Sequence, residues 1–427
     1  MKTLVLLDHE PVADGGWMVH ALLRLEGEAR LQSERPPLNL CLVLDRSGSM
    51  AGEKLHAARR AAAGLVRRLA PTDRVSVVAF DERADVVAWP GTGADQEDLP
   101  LLLEGIEPGG ITNLSAAWLR ARDLLAAART DDSVDRILLL TDGQANAGLT
   151  DPAQLTGLCR VGAAAGIGTS TFGFGADFDE ELLRAMADAG GGNTWYIEQP
   201  DQAPTLFAEE VQGLLELCAQ NVRVGVAAGP DTEAVKVLHD YPSQVEGDVL
   251  WLEVGDLYAR EPRRVLLELL VDPVEDGAAR IAHLTVTAHV VTAGGGLERH
   301  DIDIPITLHP VDGGRAIPEV RKEVLLLEAA RLREQALRAR EHGDGGYTAR
   351  LLPDWQDRVR EAGAFDAEME EEMDDLQRLS VRLQESAPDA TDVKYAKQRA
   401  HLRQRSRSGS LRHVRRADPP AEGDAHP

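Results

Sequence analysis

Cysteine is scarce in this chain of 427 residues. Cys41, Cys159 and Cys218 are odd in number, lie far apart in the sequence and form no C-x-x-C pair. This pattern argues against a disulfide framework and against a zinc site, and it agrees with a reducing compartment. We expect each cysteine to be a small residue of a hydrophobic core.

Long apolar runs are also missing. The run that precedes Asp8 contains only four residues, which is too short for the apolar region of a signal peptide. No later run approaches the roughly 20 residues that span a bilayer. The sequence therefore predicts no membrane segment, and we expect the protein in the cytoplasm.

Positive charge is the third deficit, because the formal net charge is −25. An acidic surface repels nucleic acid and anionic membrane, so a nucleic-acid contact would need a local basic patch. Residues 394–416 hold nine Lys or Arg side chains and no acid, whereas residues 366–375 hold seven carboxylates. Such opposite charge runs are typical of solvated surfaces or of loose pairing within one chain.

Motifs of several enzyme classes are absent. The sequence contains no Walker loop and no G-x-S-x-G motif, and Gly173-Phe174-Gly175 lacks the third glycine of a dinucleotide site. Four histidines of one region lack the close spacing of metal ligands, so we expect exposed strand residues, with a metal cluster as the alternative. These four are His283, His289, His300 and His309.

Residues 38–50 join an apolar run to a group of oxygen-bearing side chains. The run ends at Asp45, and Ser47 and Ser49 follow at alternate positions. The run is typical of a buried parallel strand, so these side chains would lie at its carboxyl end, where open α/β sheets bind ligands. Carboxylate and hydroxyl oxygens suit a hard cation such as Mg²⁺ or Mn²⁺. Asp and Ser are also ordinary turn residues and helix caps, so this loop alone leaves both interpretations open.

Two later motifs strengthen the metal interpretation. The apolar residues 137–140 lead to Thr141 and Asp142, which repeats the first strand end, and Gly109 and Gly110 precede Thr112 in the loop between them. From residue 38 to about residue 217, predicted strands and helices alternate. This alternation predicts an α/β fold with a doubly wound, mostly parallel sheet.

The three motifs together resemble the von Willebrand factor type A domain and its metal-ion-dependent adhesion site. The resemblance rests on Asp-x-Ser-x-Ser at 45–49, Gly-Gly-Ile-Thr-Asn at 109–113 and Thr-Asp-Gly-Gln-Ala-Asn at 141–146, and it covers residues 38–217. It implies a Rossmann-like fold and a metal site in which hydroxyls ligate directly, with carboxylates acting directly or through water. The implied site residues are Asp45, Ser47, Ser49, Thr112 and Asp142.

A site of this composition suits recognition better than catalysis. Two carboxylates only just offset a divalent cation, which we expect to be Mg²⁺, or else Mn²⁺ or Ca²⁺, so the cation can accept one more anion. The resemblance implies that a partner protein supplies an Asp or Glu carboxylate. Hydrolysis would need a positioned base, and the nearby segments offer no candidate histidine for that role. A phosphatase with Asp45 as nucleophile would lack a second carboxylate, because position 47 is Ser. We therefore expect that this protein is not an enzyme.

The rest of the chain predicts further units. Residues 218–312 are typical of a β-sandwich, and we expect strands in residues 1–35 to complete it, so that the α/β unit is an insertion. Residues 318–386 predict a helical module in which Pro353 kinks or breaks the second helix. Residues 387–427 predict a basic helix and a disordered tail.

These expectations lead to one main hypothesis, a non-catalytic protein that binds a partner's carboxylate through a metal ion. Two alternatives stay open. The chain could be a regulator that acts through residues 394–416, by nucleic-acid contact or by phosphorylation of Ser406, Ser408 or Ser410. It could also be an adaptor of an ATPase complex, having no ATP site of its own. We do not expect nucleic acid or membrane as its principal partner.

Overall fold

The computed structural model describes residues 1–407, with several short gaps. The positions outside the described residues are 14, 29–34, 93–97, 176–177, 260, 275–276, 293–295, 312, 364–365, 386–389 and 408–427. The predicted disordered tail, with Ser408 and Ser410, falls in the last of these ranges.

The described chain runs from strands through alternating strands and helices to more strands, and it ends in helices. The strands are β1 (Lys2–Pro11), β2 (Trp17–Glu26), β3 (Leu38–Asp45), β4 (Arg74–Phe80), β5 (Ala84–Thr92), β6 (Val134–Thr141), β7 (Ile167–Phe174), β8 (Gly191–Ile197), β9 (Leu217–Ala228), β10 (Thr232–Val237), β11 (Ser243–Glu246), β12 (Val249–Tyr258), β13 (Arg263–Val271), β14 (Ala279–Val291) and β15 (Leu297–Leu308). The helices are α1 (Glu53–Val66), α2 (Leu99–Glu104), α3 (Leu114–Ala128), α4 (Pro152–Ala164), α5 (Glu180–Ala189), α6 (Ala203–Leu215), α7 (Pro318–Glu341), α8 (Tyr347–Glu361), α9 (Ala367–Glu385) and α10 (Ala390–Gln404).

A six-stranded sheet forms the centre of the α/β unit, in the order β5-β4-β3-β6-β7-β8. Only β5 runs antiparallel to its neighbour. Every residue of β3, β6 and β7 is buried, as expected for strands covered by helices on both faces. Leu42 and Leu138 pack into the core on one face of the sheet, and Val43 and Leu139 into the core on the other. The predicted doubly wound α/β fold is confirmed.

Two antiparallel sheets lie outside the α/β unit. Their strand orders are β1-β2-β13-β10 and β11-β12-β9-β14-β15. In the first sheet Leu23 of β2 lies opposite Val265 of β13, and both side chains share one core with Val224 and Val286 of the second sheet. The two amino-terminal strands thus pair with a strand that follows the α/β unit in the chain.

A buried ion pair joins the α/β sheet to the second antiparallel sheet. Arg136 of β6 donates to a carboxylate oxygen of Asp256 of β12, and both side chains are almost fully shielded from solvent. Burial opposes the charge on Arg136, but the neighbouring Asp256 outweighs it and raises the pKa of the guanidinium. The pair therefore fixes one unit against the other at a position that tolerates no lone charge.

The helices of residues 318–386 form a bundle in which α8 and α9 pack against α7, and α10 packs against α7 as well. Leu325 of α7, Leu352 and Trp355 of α8 and Leu376 of α9 share its core. Helix α8 continues through Pro353, so the predicted break does not occur there. The basic helix predicted after residue 387 is α10.

Residues 399–407 of the basic carboxyl-terminal segment are buried, which corrects the prediction of a solvated or loosely paired charge run. Arg399, Arg403, Arg405 and Arg407 are each no more than 5% exposed. The Oγ of Ser406 accepts a hydrogen bond from the backbone N–H of Arg264 at 2.9 Å and is itself buried. In this fold neither these arginines nor Ser406 is available to a nucleic acid or a kinase.

The carboxylates that neutralise this segment come from the predicted acidic run. Glu372 of α9 lies 2.7 Å from Arg333 and 3.3 Å from Arg399, and Asp375 lies 2.6 Å from Arg399. These cations outweigh the effect of burial and lower the pKa of Glu372 to about 2. The two opposite charge runs are therefore one internal network.

Three smaller predictions can be compared with the fold. Cys41, Cys159 and Cys218 are free and buried, as predicted. The four histidines are exposed; two lie in β14, one in β15 and one directly after β15. The described residues contain no cluster of three or more His, Cys, Asp or Glu side chains that could hold a metal. Within the same residues, no helix is long and apolar enough to cross a bilayer.

Candidate metal site

The candidate site lies at the carboxyl edge of the six-stranded sheet. Strands β3 and β6 are parallel neighbours, with Leu44 paired to Leu140, so Asp45 at the end of β3 lies beside Thr141 at the end of β6. Asp142 follows Thr141 directly. The pairing of these two buried strands is what brings the first and third motifs together.

Asp45 is fully buried and held by two neighbours. Its Oδ1 accepts a hydrogen bond from the backbone N–H of Ser47 at 2.7 Å, and its Oδ2 accepts one from the hydroxyl of Thr141. Burial raises the pKa of Asp45, and the charge of Asp142 adds to this effect, although both hydrogen bonds oppose it. A bound cation would stabilise the ionised form that burial disfavours.

Serine hydroxyls link the loop after Asp45 to Asp142. The Oγ atoms of Ser47 and Ser49 lie 3.2 Å apart, and the Ser49 hydroxyl donates to Oδ1 of Asp142 at 2.6 Å. The second oxygen of Asp142 accepts a hydrogen bond from the ammonium group of Lys54, near the start of α1. Two serines, a carboxylate and a lysine thus form one connected polar group.

Thr112 reaches the same place from the loop before α3. A Cβ atom added to Gly143 would lie 3.2 Å from Oγ1 of Thr112 and 4.0 Å from Oδ2 of Asp45, so these side chains surround the glycine. The backbone N–H of Thr112 donates to Oδ1 of Asn146 at 2.7 Å. Asn113 then caps α3 by accepting from the N–H of Ala116, which fixes where the loop ends.

Gly109 allows the loop of Thr112 to pack closely against the loop of Asp45. Its N–H donates to the backbone oxygen of Arg46 at 2.7 Å. A Cβ atom on Gly109 would lie only 1.9 Å from Oδ2 of Asp81, so no larger residue fits without displacing that carboxylate. Asp81 in turn accepts from Nε of Arg46 at 3.2 Å and from the N–H of Gly110 at 3.4 Å.

The structure therefore brings all five predicted side chains to one edge of the sheet, from three separate loops. Their oxygens comprise two carboxylates and three hydroxyls, a donor set that fits a hard divalent cation. Sequence reasoning missed four supporting residues, which are Lys54, Asp81, Thr141 and Asn146. Signals for three of them were present, because Thr141 and Asn146 belong to the third motif, and Asp81 follows the buried strand β4 just as Asp142 follows β6.

Comparison with known proteins agrees with this geometry. The family model of the von Willebrand factor type A domain matches residues 39–209. Residues 39–209 are a von Willebrand factor type A domain. Domains of this family commonly bind divalent metal ions and generally mediate protein–protein interactions. The matched range contains β3, β6, the loop of Thr112 and all five candidate ligands.

Similarity extends beyond the von Willebrand factor type A domain. An uncharacterized protein from Synechocystis, sll0103, is 29% identical over 309 residues, which are 70% of this chain and 73% of the relative. The E3 ubiquitin-protein ligase WAV3 of Arabidopsis thaliana is 29% identical over 261 residues, covering 58% of this chain but only 33% of the plant protein.

A solved structure shares the fold over most of the chain. A von Willebrand factor type A protein from Catenulispora acidiphila superposes with a TM-score of 0.66 and 20% identity, covering 88% of each chain. The shared architecture thus includes the antiparallel sheets and helices as well as the α/β unit.

Proposed function

We propose that this protein is a non-catalytic interaction protein that binds an acidic group of a partner protein through a divalent cation. Asp45, Ser47, Ser49, Thr112 and Asp142 would hold Mg²⁺, or else Mn²⁺ or Ca²⁺. The observation that carries the proposal is the convergence of these five oxygen-bearing side chains from three loops at one edge of the sheet.

The charge balance of the site supports a further anionic ligand. Two carboxylates offset a divalent cation, and Lys54 already neutralises part of the charge of Asp142. The bound cation would therefore retain net positive charge towards a partner, and its role would be to attract and orient a carboxylate oxygen. Hydroxyl ligands add no negative charge, so they leave that attraction undiminished.

The rest of the chain supports a scaffold role for this site. We propose that residues 1–35 and 218–312 form one β-sandwich, into which the α/β unit of residues 38–217 is inserted, and that residues 318–386 form a separate helical module. The pairing of β2 with β13 supports this division, and the buried pair of Arg136 and Asp256 attaches the α/β unit to the sandwich. We also propose a cytoplasmic location, supported by the free, buried cysteines.

The proposal is tested by retention of a partner on the immobilised chain. Lysate of the native host is passed over wild-type protein in Mg²⁺, wild-type protein in EDTA, and the Asp45→Ala variant in Mg²⁺. Asp123→Ala serves as the control, because Asp123 is 57% exposed and lies on the outside of α3. We expect a specific protein retained only by wild type and Asp123→Ala in Mg²⁺. Equal retention in all four arms would contradict the proposal.

A further inference from the structure

A basic cleft lies on the outer face of α1, away from the candidate metal site. Its volume is about 550 Å³, and its cationic lining consists of Arg59, Arg60, Arg67 and Arg68, with His56 beside them. The alanines at 57, 58, 61 and 62 bury the opposite face of α1 in the core of the α/β unit. The cleft therefore belongs to the exposed side of the helix.

The spacing of small and large side chains along α1 makes this surface concave. Arg59 and Arg60 lie one turn before Ala63 and Gly64, and Arg67 follows one turn after them. Residues three and four apart share a helix face, so long side chains stand on both sides of a gap that Ala63 and Gly64 leave open. The sequence thus builds a recess with basic walls.

The four guanidinium groups are poorly neutralised within the chain. No ion pair within 4.0 Å involves any of them among the described residues, and Nε of Arg59 is buried without a hydrogen-bond acceptor. Glu104 is the one carboxylate of the cleft lining. Elsewhere in this chain buried arginines are matched by carboxylates, as Glu372 is shared by Arg333, Arg399 and Arg403.

A cluster of positive charges without carboxylate partners gains stability from an external anion. Arginine presents its donors as a planar fork that matches the oxygens of phosphate, and the cleft contains no lysine. Pro100, Leu103 and Pro204 add an apolar wall, which suits the organic part of a ligand. The volume falls within the range of about 300–1,000 Å³ found for small-molecule sites.

We propose that this cleft binds a small anion carrying two or more phosphate groups. Arg59 and Arg60 contact one end of the phosphate chain, and Arg67 and Arg68 contact the other end across the gap above Ala63 and Gly64. This binding site is independent of the proposed metal site, since it uses none of the same residues and faces a different side of α1.

The test is calorimetry of the full chain with sodium tripolyphosphate in EDTA, so that no divalent cation takes part. We expect micromolar affinity at low salt, on the order of 10⁻⁵ M or tighter, weakening as salt rises. The double variant Arg60→Lys with Arg67→Lys keeps the positive charge but loses the planar guanidinium donors, so the affinity for tripolyphosphate should fall about tenfold or more. A matched control is Arg122→Ala with Arg358→Ala, which removes two exposed arginines elsewhere and should leave affinity unchanged.

Several results would overturn the proposal. One is an absence of binding to wild type at about 1 mM tripolyphosphate, the weak end of specific affinity. Another is a loss of affinity in the control variant as large as that in the lysine variant. A lysine variant with unchanged affinity would also overturn it. Tighter binding of an octaglutamate peptide than of tripolyphosphate would assign the cleft to an acidic protein segment instead. Equal affinity for inorganic phosphate would contradict the requirement for several phosphate groups.

Discussion

Replacing Gly109 with Ala should weaken metal binding although residue 109 offers no ligand. The added Cβ would lie 1.9 Å from Oδ2 of Asp81, whereas non-bonded heavy atoms settle near 3.5 Å, so Asp81 must move by more than about 1 Å. That movement breaks the hydrogen bonds from Arg46 and from the N–H of Gly110. The loop that carries Thr112 is then displaced from the other ligands.

We expect this displacement to lower Mg²⁺ affinity about 10- to 100-fold, the usual effect of losing a group that orients metal ligands. Isothermal titration calorimetry measures the affinity, and urea unfolding checks that the variant folds. Gly110→Ala is a matched control, because a Cβ there meets only the side chain of Glu82, at 3.8 Å, an ordinary contact. Equal affinities of the Gly109→Ala and Gly110→Ala proteins would refute this account of how the loop is positioned.

Three further predictions concern charge. Lys54→Ala should raise Mg²⁺ affinity about tenfold in calorimetry, because it removes a cation that contacts a ligand carboxylate; Lys54→Arg, which keeps the charge, should not. Asp256→Ala should destabilise the chain by about 3–5 kcal/mol in urea unfolding, because it leaves Arg136 buried without a counter-charge, and adding Arg136→Met should recover much of that loss. Glu372→Gln should reduce the decline of stability at acidic pH, and Glu368, whose pKa is also lowered to about 2, should retain its share of that decline. The folded-state pKa of Glu372 is about 2 against an ordinary 4.5, so its contribution is complete above pH about 4.5 and is lost as pH falls towards 2. Urea unfolding between pH 2 and about 7 measures this, with the exposed Glu370→Gln as control.

Each of these predictions has a contradictory outcome. An unchanged affinity after removal of Lys54 would mean that its ammonium does not compete with the metal. Additive effects of the Asp256 and Arg136 substitutions would show that the buried pair is not coupled. A wild-type stability that does not decline below pH about 4.5 would contradict the low pKa of Glu372.

The α/β unit and the positions of the candidate ligands could be predicted because both follow from local patterns. A continuous apolar run such as that of β3 has to be buried on both faces, and its last residue, Asp45, then lies at the ligand-binding edge. The same reasoning applies to β6 and Asp142. Because β3 and β6 are parallel neighbours, their carboxyl ends lie side by side, and this brings Asp45 and Asp142 together.

The fate of the basic segment could not be predicted, because it depends on contacts between distant parts of the chain. A run with Arg399, Arg403 and Arg405 is typical of a solvated surface. Its burial depends on Glu372 of α9 and Asp188 of α5 lying where the arginines can reach them. Charge patterns indicate sign and density but carry no information on which opposite charge is a neighbour in space. The same limit applies to Lys54, whose contact with Asp142 joins α1 to the loop after β6.

The most direct test of the central claim is a titration of the protein with Mn²⁺ followed by electron paramagnetic resonance, which measures free Mn²⁺ and detects a bound ion with an exchangeable position. The account predicts one Mn²⁺ site per chain, displaced by Mg²⁺, lost in Asp45→Ala and in Asp142→Ala, and altered in its spectrum when a carboxylate-bearing partner is added. Retention of the site in both variants, or no binding by the wild-type protein, would contradict it.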